Sequence, residues 1–278
     1  MQQLSFHITE SYPYPTPPAG GDTAMTLCKT QGDTFLALLA QRAGQDTITL
    51  LGACEGDIQI EYPSPPDRPR SSGMGYSPVN GVIYCGSSSA TRQFITAINP
   101  FDGTVVHDFE MENPGFNDST AFGTNGFFLV RGFQETLELR TMAGDFIASR
   151  NYPDRLIRGV SASPFSWTLL DGINNEIVVL SPFGEEIAFA PAPGIPATGV
   201  TAAGTATGPH AIAFDYVTMP YNASKKCIPL SGVPVSVFEG SEYDPDTPWD
   251  PAPWQFRHRI YIANQSTDTI YVGYLTAA

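Results

Sequence analysis

The chain has 278 residues, with 14 Lys and Arg against 28 Asp and Glu, so its formal net charge at pH 7 is −14. Hydrophobic residues make up 42% of the sequence, which is enough to build a core and excludes a chain that is disordered throughout. Only three residues are lysines, and the large negative charge argues against nucleic-acid binding, because contacts to phosphates need Lys and Arg.

The sequence gives few indications of a cellular compartment. The opening residues MQQLSFHI contain neither a basic region nor a long apolar run, so we expect no secretory signal peptide. No stretch approaches the roughly 18 apolar residues of a membrane helix, so no membrane insertion is expected. The four cysteines are far apart and form no metal-binding pair, which favours reduced, structural thiols: Cys28, Cys54, Cys85 and Cys227. We therefore expect a cytoplasmic or virion-associated protein without a cofactor.

Short apolar segments, rich in β-branched and aromatic residues, recur along the whole chain between Gly, Pro and Asp. No long segment has the 3.6-residue period of a capped helix, so the sequence predicts an all-β protein. Pairs of these segments flank tight turns at five glycines: Gly56, Gly103, Gly144, Gly184 and Gly232. Their intervals of 47, 41, 40 and 48 residues match the repeat length of a four-stranded propeller blade.

Each of these turns is preceded by another apolar strand, and that strand follows a run of small residues such as Gly73–Tyr76 or Gly159–Ala162. Small side chains are expected where the first strands of several units meet in a crowded central channel. Each unit therefore has four predicted strands.

The two ends of the chain complete one another in this scheme. Arg259–Ala263 and Thr269–Tyr274 match the second and third strands of a further unit, and Leu4–Glu10 matches an outer fourth strand. The N-terminal strand is thus expected to complete the last blade and close the ring, which protects sheet edges.

The predicted fold is a single all-β domain over residues 1–278, a six-bladed β-propeller of four-stranded antiparallel blades. The predicted blades span residues 22–62, 71–112, 117–152, 157–191, 198–239, and 250–278 together with 4–10. A Pro- and Trp-rich insert at 241–256 contains four prolines, which disfavour a regular inner strand. A five-bladed or irregular ring is the alternative.

The segment Asn99–Val106 resembles the turn between the third and fourth strands of quinoprotein repeats, and half of the sialidase Asp-box, although it lacks their Trp. The layout of repeats over nearly the full length is similar to β-propellers of the quinoprotein and six-bladed kinds. This resemblance implies the fold and carries no particular chemistry with it.

Propellers bind ligands at the mouth of the channel, where the inner strands begin. The repeat alignment places four residues there: Asp22, Asp118, Arg158 and Asp250. Three carboxylates around one guanidinium could bind a divalent cation or perform acid–base chemistry. The alternative is that these residues form turns and neutralise one another.

The insert offers a second candidate site. Trp249 and Trp254 flank Asp250 in a stiff Pro-rich loop, and Tyr243 lies nearby in sequence. Exposed aromatic rings beside carboxylates suit a sugar or a peptide. The alternative is that both Trp side chains cover the channel or the closure of the ring.

The sequence contains no G-x-S-x-G, H-E-x-x-H, P-loop or C-x-x-C motif. We therefore predict a non-enzymatic structural or protein-docking propeller whose partners are other protein subunits, in an assembly such as a virus or phage particle. The alternatives are a glycan- or receptor-binding propeller and a metal-dependent hydrolase or lyase with its site at the channel mouth.

Overall fold

The computed structural model describes residues 1–13, 23–29, 34–40, 46–53, 56–64, 71–77, 79–88, 92–112, 120–124, 128–163, 166–181, 184–193, 209–215, 259–264 and 267–278. The regular elements within these ranges are all β-strands, which confirms the prediction of an all-β chain. In this part of the molecule, no helix is long and apolar enough to cross a membrane.

Three four-stranded antiparallel sheets follow one another along the chain. Blade 1 contains β2 (Thr23–Lys29), β3 (Thr34–Ala40), β4 (Thr47–Gly52) and β5 (Ile58–Pro63). Blade 2 contains β6 (Ser71–Ser77), β7 (Val82–Ser88), β8 (Arg92–Ile98) and β9 (Val105–Glu112). Blade 3 contains β10 (Thr120–Thr124), β11 (Phe128–Phe133), β12 (Thr136–Thr141) and β13 (Phe146–Asn151).

The remaining strands form two more blades. Blade 4 contains β14 (Ile157–Ser163), β15 (Ser166–Asp171), β16 (Glu176–Leu180) and β17 (Glu186–Pro191). Blade 5 combines both ends of the chain: β18 (Pro209–Asp215), β19 (Arg259–Asn264), β20 (Thr269–Ala277) and β1 (Gln2–Pro13). β1 pairs with β20 from Leu4 opposite Ala277 to Pro13 opposite Thr269, which confirms that the N-terminal strand completes the last blade.

The first strands of the blades contact one another in a closed cycle, from β2 through β6, β10 and β14 to β18 and back to β2. Four-stranded antiparallel blades around such a cycle form a β-propeller, as the sequence predicted. Gly73 and Gly75 on β6 are buried, as expected for small residues on a first strand.

The predicted count of six blades is not confirmed, because the described strands form three four-stranded sheets and one eight-stranded sheet that comprises blades 4 and 5. Ala211–Phe214 and Arg259–Ala263 were expected in separate blades, and this assignment is corrected: Ile212 pairs with Ile262 within blade 5. Repeat spacing matched β18 to the next apolar run along the chain, whereas β18 pairs with a strand that follows the intervening residues 216–258. Those residues lie outside the described part of the chain, and they include the predicted insert at 241–256.

The hydrophobic core lies between the blades. Each of five buried clusters joins one neighbouring pair of blades, and together the clusters follow the whole cycle. Leu50 of blade 1, for example, packs in the same cluster as Ile83 of blade 2, and both are fully buried. The blades are therefore held together chiefly by burial of apolar surface.

A tyrosine at the end of the outer strand of one blade packs on the turn glycine of the next blade. A Cβ added to Gly103 would lie 2.6 Å from Cδ2 of Tyr62, and Gly103 has a φ of +71°. The Tyr62 hydroxyl donates a 2.9 Å hydrogen bond to the carbonyl of Pro100. Tyr152 makes the corresponding 2.8 Å bond to the carbonyl of Gly184 in blade 4. These contacts give Tyr62 and Tyr152, each of which is followed by a proline, a specific role in fixing neighbouring blades.

We expect Tyr62→Phe to lower the free energy of unfolding by about 1 kcal/mol, because it removes one buried hydrogen bond and keeps the ring packing. Urea unfolding followed by circular dichroism measures the change. Tyr271→Phe is the matched control, since the Tyr271 hydroxyl bonds to the Thr267 hydroxyl at an exposed position. Equal losses in both variants would contradict a special role for Tyr62.

Candidate functional site

Arg158 is the predicted channel-mouth residue that falls within the described part of the chain. It lies half-buried on β14. Its side chain covers the turn between β15 and β16, because a Cβ added to Gly172 would lie 2.5 Å from the Arg158 Cγ. Arg158 therefore packs on its own blade.

The other predicted site residues lie outside the described residues: Asp22, Asp118, Asp250, Tyr243, Trp249 and Trp254. The proposed convergence of acids at the channel mouth and the aromatic platform in the insert therefore stay predictions. Among the described residues, no group of three His, Cys, Asp or Glu side chains is arranged to hold a metal ion.

Arg155, three residues before Arg158, is a guanidinium surrounded by three carboxylates. This arrangement was not predicted from the sequence. Arg155 binds Glu186 through both carboxylate oxygens, with N–O distances of 2.7 and 3.0 Å. Its Nη1 also donates to Asp171 at 3.0 Å and to Glu176 at 3.1 Å. These hydrogen bonds, led by the one to Glu186, raise the pKa of Arg155 above its ordinary value. The carboxylates thus converge on a cation that the chain itself supplies.

Asp171 shows that this network is structural. Its side chain is fully buried, and its Oδ1 accepts hydrogen bonds from the backbone N–H groups of Leu156 and Ile173. The network therefore fixes the entry into blade 4. The feature of the sequence that comes closest to indicating this network is the polar turn after Asp171, which resembles many other turns.

A second ionic cluster lies between blades 2 and 3. Arg131, 2% exposed, donates to Glu138 from Nε at 2.9 Å and from Nη2, and to Gln93 Oε1 from Nη1 at 2.7 Å. Arg140 also binds Glu138, at 2.8 Å, and donates to the carbonyl of Gly144. Burial lowers the pKa of Arg131, and Glu138 opposes that effect. Glu138 is thus the carboxylate bound by two arginines.

A groove of about 560 Å³ opens between blades 3 and 4. Apolar side chains from both blades dominate its walls, among them Leu137, Leu139 and Trp167. Ala148 and Arg150 of β13 line its outer side. Ala148 lies opposite Leu139, beside a bulge. The equivalent residue of blade 1 is Ile60, which lies opposite Leu50. A methyl group at this position fills less of the groove than the isoleucine of blade 1 would.

Exposed apolar residues recur at the start of the outer strands. Ile58, Val105 and Phe146 each follow a turn glycine by two residues, at equivalent places in blades 1, 2 and 3. We call five such residues the apolar band: Ile58, Val105, Val106, Phe146 and Ile147. All are more than 40% exposed, with 56% for Val106 and for Phe146. Three neighbouring blades thus present apolar side chains to solvent at one level of the outer surface.

Two of the four cysteines are described, and both are free thiols in the core. Burial raises the pKa of Cys28 and of Cys85 to about 12. The thiolate is the reactive form, so these groups should be inert while the protein is folded.

We expect Cys28 and Cys85 to resist a thiol reagent at pH 8 in native buffer and to react fully in guanidinium chloride. A Cys54→Ser, Cys227→Ser double variant removes the signal of the other two cysteines. Absorbance of the released chromophore gives the rate. Labelling faster than global unfolding would contradict the buried placement of these thiols.

No protein-family model matches the sequence, and no curated protein matches it. Among solved structures, the chain is similar to the glutaminyl cyclase of Myxococcus xanthus, with 13% identity and a TM-score of 0.58. The similarity covers 100% of this chain and 99% of that one. The two proteins share a fold, and the predicted resemblance to β-propellers is confirmed.

Two further structures resemble parts of the chain more distantly. BamB from Moraxella catarrhalis is 12% identical, with a TM-score of 0.37, over 67% of this chain and 51% of BamB. A nidogen/laminin complex contains a chain that is 9% identical, with a TM-score of 0.40, over 64% of this chain and 87% of that one.

Proposed function

We propose that this propeller is a non-enzymatic docking protein that binds other protein subunits through its outer surface. The observation that carries the proposal is the apolar band. Exposed apolar side chains that form a patch are characteristic of protein-interaction surfaces, and isolated ones are common everywhere. The band repeats at the same level in three neighbouring blades, so a partner could contact several blades at once.

Within this proposal, the assembly expected from the sequence is a virus or phage particle, in which the chain would be a stoichiometric component. The test is the mass of the native protein from its natural source, measured by light scattering, with mass spectrometry to identify what co-purifies. A fixed-ratio complex well above 30 kDa supports docking. A monomer of about 30 kDa overturns it. A complex that contains no virion proteins would contradict the proposal that the assembly is a virus or phage particle.

Two variants, studied in the same experiment, test whether the apolar band is the docking surface. Val106→Asp places a charge in the apolar band and should dissociate the complex. Val79→Asp is the matched control, because Val79 is similarly exposed but lies in the turn between β6 and β7. If both variants remain in the complex, the apolar band is not the docking surface.

Glutaminyl cyclase activity is a second candidate, supported by the similarity to the Myxococcus xanthus enzyme over the full length of both chains. The test is release of ammonia from a peptide that begins with glutamine, since ring closure of that side chain onto the amine expels ammonia. Steady release by the purified chain would support it. Release no faster than in buffer would exclude it.

A further inference from the structure

β1 is held in blade 5 by few buried side chains. Among its twelve residues, Leu4 and Tyr12 are buried, and Leu4 packs with the partly buried Phe6 in the cluster between blades 4 and 5. Tyr12 packs on the turn of blade 1, where a Cβ added to Gly56 would lie 2.5 Å from the Tyr12 Cγ. By contrast, β19 in the same blade is buried throughout residues 260–264. Releasing β1 therefore exposes less apolar surface than releasing a central strand.

The place that β1 occupies is specified along its whole length. Residues 4–13 pair antiparallel with β20, and residues 2 and 3 pair in parallel with β17 of blade 4. A second copy of the chain carries the same strand sequence. Its β1 would make the same main-chain hydrogen bonds and place Leu4 and Tyr12 in the same positions. The pairing seen within one molecule therefore identifies a second copy as a partner that fits this edge.

The connector between β1 and β2 is long enough for β1 to reach a neighbouring molecule. It comprises residues 14–22 and includes three prolines: Pro15, Pro17 and Pro18. Proline favours an extended backbone, and nine extended residues reach about 30 Å. The connector joins β1 to blade 1, whereas β20 lies at the other end of the chain. The covalent structure therefore allows β1 to pair with β20 of its own molecule or of a second one.

We propose that two copies of the chain exchange their β1 strands, so that β1 of each copy completes blade 5 of the other. Such an exchange retains the hydrogen bonds and buried contacts of β1, and its cost is the freedom that two molecules lose when they associate. The net charge of −14 on each copy opposes association, and added salt screens that repulsion. High protein concentration and high ionic strength therefore favour exchange. The proposal goes beyond docking through the apolar band and does not depend on it.

The experiment places a disulfide across the exchanged strands. His7 lies directly opposite Tyr274, so a His7→Cys, Tyr274→Cys variant can join β1 to β20. Cys54→Ser and Cys227→Ser limit competing disulfides. The chain is refolded from guanidinium chloride at about 5 or about 500 μM, oxidised, and separated by size-exclusion chromatography with light scattering. Non-reducing denaturing gel electrophoresis then shows whether the disulfide lies within one chain or between two.

We expect a dimer of twice the 30.0 kDa chain mass whose chains stay linked on the gel, beside a monomer whose disulfide is internal. The rise in concentration should increase the ratio of dimer to monomer at least about tenfold by mass action, and about 0.5 M NaCl should increase it again. Thr136→Cys with Asn151→Cys is the matched control, since these residues lie opposite each other in blade 3, which is continuous in sequence. Its disulfide should stay within one chain at every concentration.

Three results would overturn the inference: a monomer at every concentration, a dimer whose chains separate on the gel, or equal linkage between chains in the control. If circular dichroism shows folded protein but no disulfide joins β1 to β20, the strands are not paired as described and the inference also fails. Val106→Asp in the apolar band should leave the exchanged dimer intact. A chain that exchanges β1 but binds no other subunit would overturn docking alone, so the two proposals can fail separately.

Discussion

Replacing Glu138 by glutamine will lower the free energy of unfolding by about 3 to 5 kcal/mol. The substitution keeps the shape of the side chain but leaves the guanidinium of Arg131 buried beside the second cation, Arg140. Breaking a buried ion pair by removing its carboxylate is among the most destabilising changes that a single substitution can make. Guanidinium chloride unfolding followed by tryptophan fluorescence measures the loss.

Two variants make this result specific to the ion pair. Glu135→Gln is the matched control, since Glu135 is exposed in the turn between β11 and β12 and should change stability by less than about 0.5 kcal/mol. Adding Arg131→Met to Glu138→Gln should recover most of the loss, because the buried charge is then removed as well. A loss below about 1 kcal/mol for Glu138→Gln alone would show that Glu138 does not neutralise Arg131.

Gly103→Ala will destabilise the protein by about 2 to 5 kcal/mol, of which roughly 1 to 2 kcal/mol is the cost of a left-handed backbone and the rest is a collision with Tyr62. Gly81→Ala separates the two contributions. Gly81 has a similar φ of +67°, but a Cβ there would meet nothing within 4 Å. It should therefore show the backbone cost alone in the same urea titration.

The collision between the added methyl group and Tyr62 can be tested by removing the Tyr62 ring. In a Tyr62→Ala background, Gly103→Ala should cost no more than Gly81→Ala, because the added methyl group then has space. Strict additivity of Tyr62→Ala and Gly103→Ala would contradict the packing of this ring on the turn.

Features that follow the repeat were predictable from the sequence. The turn glycines Gly56, Gly103, Gly144 and Gly184 all have positive φ, a conformation that L side chains rarely adopt and that marks them in the sequence. The pairing of the two ends was also predictable, since Leu4–Glu10 has the pattern of an outer strand and the C-terminal strands lacked one. Both inferences needed only a repeat of known length.

Features that depart from the repeat, or that depend on side-chain contacts between strands, were not predictable. The pairing of β18 with β19 bridges residues 216–258, and periodicity does not determine which of several apolar runs becomes the partner. The network around Arg155 joins a connector to three strands of blade 4, with no motif at any of its positions. The groove is lined by residues of blades 3 and 4, and which residues meet there depends on strand register, such as that of Ala148 against Leu139.

The way the ring closes also determines the order in which the blades can form during synthesis of the chain. Blades 1 to 4 are each continuous in sequence, so each can pair its strands as soon as it has left the ribosome. Blade 5 cannot, because Thr9 bonds to the carbonyl of Val272, 263 residues later. β1 must therefore wait, with an unpaired edge, until β20 has been translated. During that interval an incomplete ring is open to a strand from another molecule.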